Sequence, residues 1–179
     1  MPLESNFDAE DELIDFFMDK KQINRKNSNY MFFVFTKYAF ESHGIPNPEM
    51  EIYVSDLLNN FISVERLYKI CEEDNKRHYY ITDMLQKARK EPEKQYIIHK
   101  HIGDFSLFIS GIFPRGIQMQ KCIDKNFYIY FGKSSYNLAS SLGKGTSTVL
   151  GNISKNFETC VEALNDTVSN YVVGKKFKV

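Results

Sequence analysis

The chain has 179 residues, with Lys+Arg and Asp+Glu equal at 23 each and a formal net charge of zero, so it lacks the basic excess of a nucleic-acid-binding surface, and nucleic acid is not an expected partner. At 42% hydrophobic and 26% charged residues the composition is that of a folded globule, and no apolar run reaches the roughly 18 uncharged residues that cross a bilayer. Cys71, Cys122 and Cys160 are odd in number and far apart, with neither zinc-finger nor disulfide-framework spacing.

Reduced thiols, and an acidic start (MPLESNFDAEDELIDFF) without the basic region of a secretion signal, point to the cytoplasm. The basic groups Lys20, Lys21, Arg25, Lys26 and Lys175, Lys176, Lys178 read as solvated ends of elements. Phe 15 and Tyr 11, without tryptophan, predict a core rich in ring packing.

Residues 1–7 read as a flexible lead, and 8–179 as a single helical domain. Asp8 can cap a helix running to Lys20, with Leu13, Ile14, Phe17 and Met18 on one face. Tyr30 to Phe35, YMFFVF, has the aromatic and β-branched content of a buried strand. A helix from Asn29 to Ser42 is favoured because the apolar run continues through Tyr38 and Phe40 and ends at Gly44 and Pro46.

Asn47 and Pro48 form an N-cap and first-turn pair. The helix they open buries Val54, Leu57, Leu58 and Phe61 and is read through Val64 and Leu67 to Cys71, with Asp74-Asn75 as its break. The next is placed from Arg77 to Lys90, carrying Tyr80, Ile81, Met84, Leu85 and Ala88. Then comes the run EKQYIIHKHIGDFSLFISGIFP, Glu93 to Pro114. Its apolar residues surround the helix axis, which predicts a buried central helix over 94–113. Gly103, Ser106 and Ser110 form a small-residue face, matched by Gly132, Ser135 and Ala139 on a helix from Asn126 to Leu142. The two stripes predict close packing between these helices. A last helix, capped by Thr146 or Ser147, runs to Val173 on a stripe of Leu150, Ile153, Phe157, Cys160, Leu164, Val168 and Tyr171. The predicted fold is an all-α bundle of six or seven helices.

Candidate chemistry gathers on the central helix. His101 and Asp104 are three apart and share a face. A carboxylate at the edge of an apolar face needs donors. It is either a tie to a neighbouring helix through a backbone N–H, Tyr or Lys, or half of a carboxylate–histidine pair in a pocket. His99 and His101 point about 160° apart on a helix and do not share an ion, so no metal is expected. Tyr128, Tyr130 and Tyr136 can line a pocket or pack as core rings. Arg115, after the helix end, can meet an anionic ligand or cover helix carbonyls.

The loop Gly143-Lys144-Gly145-Thr146 lacks the glycine and Gly-Lys-Ser/Thr spacing of a phosphate loop, and no nucleophile–base arrangement occurs. No cofactor is expected, and the sequence leaves open whether the protein is an enzyme. The leading reading is a helical protein acting through assembly or a protein partner, a homodimer included. The alternative is a small-molecule or cofactor site near His101, Asp104, Arg115 and Tyr130, with His99, Tyr128 and Tyr136 as further ligand-binding candidates.

Overall fold

The computed structural model describes residues 25–113, 124–143 and 147–172. Among them are eight α-helices and no strand: α1 Arg25–Ser42, α2 Pro48–Phe61, α3 Val64–Tyr68, α4 Ile81–Lys90, α5 Gln95–Ile112, α6 Lys125–Leu142, α7 Ser147–Lys155 and α8 Phe157–Val172. No helix among the described residues is long and apolar enough to cross a membrane. The helix read over Asp8 to Lys20, the position of Arg115 and the side chain of Tyr171 lie outside what is described.

The aromatic run at Tyr30 is helical. Phe32, Phe35, Thr36, Ala39 and Phe40 are buried at steps of three, one, three and one, a helical face rather than a strand's alternation. Gly44 ends α1 at φ +71. The amides of Gly44 and Ile45 return to the carbonyls of Glu41 and Phe40, which satisfies the last turn in a Schellman motif. Asn47 then caps α2 as read, its Oδ1 accepting from the Met50 amide at 3.1 Å, while Glu51 accepts from the Asn47 amide at 3.1 Å.

Three boundaries differ from the sequence reading. The helix read through Cys71 stops at Phe61, because Ser63 turns extended (ψ 111). Asn60 closes that end: its carbonyl accepts from the Ser63 amide, and its side chain from Arg66 at 2.8 Å. α4 starts four residues later than Arg77, because the His78 amide is held by the Tyr68 carbonyl at 2.7 Å. Tyr80 is thereby an exposed N-cap residue rather than part of the buried face.

The last helix is two, divided at Asn156, whose amide is shared between the carbonyls of Asn152 and Ile153, each at 3.2 Å. The apolar stripe nonetheless continues through the division: Leu150, Ile153, Phe157, Cys160, Leu164 and Val168 are all buried.

α5 is the centre of one continuous core. From Ile102 to Phe108 every residue is buried, so the helix is enclosed on all sides. Its small-residue face meets that of α6 as the spacing predicts. A Cβ added at Gly132 would lie 2.7 Å from Cβ of Ser106, and one added at Gly103 would enter the Tyr136 ring. α8 crosses α5, where Asn165 donates to the carbonyls of Ser110 and Gly111. These contacts bring the polar residues of α5 against α2, α3 and α6.

Candidate functional site

Asp104 sits at the junction of α2, α5 and α6. Its Oδ1 accepts from the Tyr53 hydroxyl at 2.6 Å and from the Tyr136 hydroxyl at 2.7 Å; its Oδ2 accepts from Lys100 at 2.7 Å. Lys100 lies one helical turn before Asp104, and its ammonium also stands 5.1 Å from the centre of the Tyr53 ring. Burial first, and then the adjacent carboxylate, hold both phenols well above their ordinary range. They therefore remain donors, and Asp104 is a three-helix tie made through tyrosines and a lysine, one of the two roles its position allowed.

The histidines turn away from it. The Nε2 of His101 bonds the Leu67 carbonyl of α3 at 3.1 Å, and its ring meets Phe61 edge-on with centroids 5.7 Å apart. Burial pushes His101 down to about 4, so the ring is neutral and donates from Nε2. His99 points to α6, its Nδ1 3.2 Å from the Ser135 hydroxyl, and burial also lowers its affinity for protons. His101 and Asp104 are neighbours on the helix but share no hydrogen bond. No group of three or more His, Cys, Asp or Glu among the described residues could hold a metal ion.

The three tyrosines separate. Tyr136 is fully buried, and its hydroxyl turns inward to Asp104 rather than reaching the surface. Tyr128 is buried beside Phe105 and Phe127. Tyr130 is 66% exposed and lies on the outside of α6, apart from Asp104. The structure thus brings Asp104 and Tyr136 together, and does not bring His99, His101 or Tyr130 to them.

Two parts of this arrangement were not read from sequence. Lys100 was signalled by its i, i+4 spacing to Asp104; Tyr53, on another helix, carried no local signal. A second buried polar group also escaped notice: Asp74 binds Lys87 at 2.8 Å, Lys87 binds Glu91 at 2.7 Å, and the His78 ring is packed beside them. The Lys87 ammonium holds the Asp74 carboxyl below its usual range against the opposing effect of burial.

The outside of α6 is different in kind. Phe127, Phe131, Leu138 and Leu142 fall within about 60° of one another around the helix. Phe131 is flanked by the rings of Phe127 (centroids 4.7 Å apart) and Tyr130 (5.1 Å). Leu138 is 38% and Leu142 45% exposed. Beside Tyr130 runs an open groove of about 570 Å³ whose lining includes Lys133, Asn137, Lys155 and Glu158. Comparison with family models, with curated proteins and with solved structures gave no match to this chain.

Proposed function

We propose that this protein acts by protein–protein assembly, with itself or with a partner protein, through the outer face of α6. The observation that carries the reading is the line of apolar side chains along that helix, half-buried at Phe127 and Phe131 and exposed at Leu138 and Leu142. Phe127 to Leu142 extends about 22 Å at the helical rise per residue, the scale of one helix-to-helix contact. Aromatic and leucine side chains held on a rigid helix are suited to the centre of an interface, with exposed polar residues such as Ser134 and Ser141 beside them at the rim. The Asp104 group supports the same reading from the other side, because its carboxylate oxygens are already engaged by Tyr53, Tyr136 and Lys100.

The test replaces Leu138 and Leu142 with glutamate. Both side chains are substantially exposed, so the fold should persist, as judged by an unchanged urea transition. Sedimentation velocity over a wide concentration range reads self-association, and a photo-crosslinking residue at position 138, compared with one at position 37 on α1, reads a partner in cells. Association or crosslinking that depends on position 138 and is lost with the glutamates is the expected result. A concentration-independent monomer, together with equal crosslinking from positions 138 and 37, would overturn the proposal.

A further inference from the structure

Each of the four histidines in the chain stands at a joint between elements. His43 meets Asp166 of α8, His99 meets Ser135 of α6, His101 meets Leu67 of α3, and His78 lies beside Asp74 and the Lys87 of α4. Two of these joints hold the same segment. α3 is only five residues long, and residues 69–80 after it contain no helix. Among the described residues the anchors of this stretch to its surroundings are buried Leu67 and Ile70, Tyr68 against Phe105, the Arg66 bond to Asn60, the His101 bond to the Leu67 carbonyl and the Asp74–Lys87 pair. Segments with so few contacts open at lower free energy than the core around them.

The His78 side chain is buried, and its Nδ1 has no hydrogen-bond partner. Its Nε2 stands 3.8 Å from Asp74 Oδ2, which likewise accepts no hydrogen bond. We propose that α3 and residues 69–80 form an acid-released flap, held to α5 by the His101 bond and to α4 by the Asp74–Lys87 pair beside His78, closed while both rings are neutral and freed when the rings take up protons. Release would bare Phe105, against which Tyr68 packs with centroids 6.1 Å apart. The inference is independent of what binds α6.

The groups facing each ring set the direction. His101 is dominated by burial; Asp104 opposes that effect, while Lys100 and His78 reinforce it. Of its other neighbours, Phe61 of α2 brings no charge, while the bond to the Leu67 carbonyl of α3 also favours the protonated ring without outweighing burial. His78 is also lowered first by burial, with Asp74 and Asp83 opposing and Lys87 and Lys76 reinforcing. Both rings therefore bind protons more weakly in place than when released. The closed flap is favoured above the ordinary histidine range and loses that advantage as pH falls through about 6.5. With His101 at about 4 when closed, going from pH 7.5 to 5.0 multiplies the opening constant on the order of thirty-fold from this ring alone.

Hydrogen exchange of the full chain at the two pH values, with labelling times corrected for intrinsic exchange, reads this directly. The amides of 64–80 should exchange faster than those of α5 at both pH values, with their opening constant rising on the order of thirty-fold on acidification. In a His78→Gln, His101→Gln chain, glutamine can still donate to Leu67 but does not titrate, and the rise should fall to threefold or less by the same linkage. Exchange of 64–80 at the same rate as α5, or an equal rise in the parent and the double variant, would overturn the flap. Should the double variant lack a cooperative urea transition, the parent decides alone: a separate, acid-enhanced opening of 64–80 supports the proposal, and its absence refutes it.

Discussion

Replacing Asp104 with alanine removes the acceptor for three donors at once, and the cost can be worked from what each donor is left with. Tyr136 is fully buried, and without Asp104 its hydroxyl has only the Tyr53 oxygen beside it, so at least one of the two phenols is left without an acceptor. A buried donor left unpaired costs about 1–3 kcal/mol. Tyr53 loses a 2.6 Å bond to the same oxygen and adds a similar amount, reduced if water reaches it. The Lys100 side chain is 33% exposed and can turn to solvent, so its loss contributes under about 1 kcal/mol. The sum predicts that Asp104→Ala lowers stability by about 2–5 kcal/mol, overlapping the loss seen when one partner of a buried charged group is removed.

Asp104→Asn should cost less, about 1–2 kcal/mol, because the amide oxygen still accepts from the phenols while the charge that strengthens those bonds is gone. Urea denaturation of the parent and both variants, with matching slopes, gives the differences. An Asp104→Ala chain within about 0.5 kcal/mol of the parent would refute the tie, since one orphaned phenol alone should exceed that. Greater stability in the variant would mark the carboxylate as held against the fold's interest, as functional groups sometimes are.

Other outcomes follow from the same structure. Gly103→Ala, whose new methyl would enter the Tyr136 ring, should destabilise by about 1–3 kcal/mol in urea melts. Gly44→Ala meets no neighbouring atom but retains φ +71, and should cost about 1 kcal/mol through backbone strain alone. His78, His99 and His101 all hold protons more weakly when folded. Their stabilising contribution is complete above pH ~6.5 and declines as pH falls, by about 2 kcal/mol at pH 5 for His101; urea midpoints at the two pH values check this. Tyr136→Phe should cost about 1–2 kcal/mol, and a double-mutant cycle with Asp104→Asn should show the two effects to be strongly non-additive.

What the sequence made legible was local. The helix at YMFFVF could be read because its stop, Gly44, is a chain-local signal, and the α2 cap because Asn47-Pro48 satisfies its own backbone. The α5–α6 seam was legible as well: small residues repeating at helical spacing on two consecutive helices leave few other uses for that spacing. The breaks at Ser63 and Asn156 were not, since the apolar spacing passes through both and only backbone hydrogen bonds mark them. The Asp104 tie was half legible. Its need for donors follows from an apolar face, and Lys100 from spacing, but Tyr53 comes from another helix 51 residues away, where no periodicity reaches. The same limit applies to the candidate ligand residues. His99, His101 and Asp104 share one helix, yet His99 turns to α6, His101 to α3 and Asp104 to α2 and α6 at once, and sequence adjacency carried no information about that divergence.

The division at Asn156 changes which helices the stripe packs against without changing its phase, and this constrains how the chain can vary in length. α7 lies along α6 while α8 crosses α5 and α1, so one apolar stripe serves two differently oriented surfaces. A residue inserted or deleted between Lys155 and Phe157 would rotate one helix by about 100° relative to the other. Either the Leu150–Ile153 half or the Phe157–Val168 half would then leave the core, whichever held less strongly. The constraint at the joint is on the count of residues.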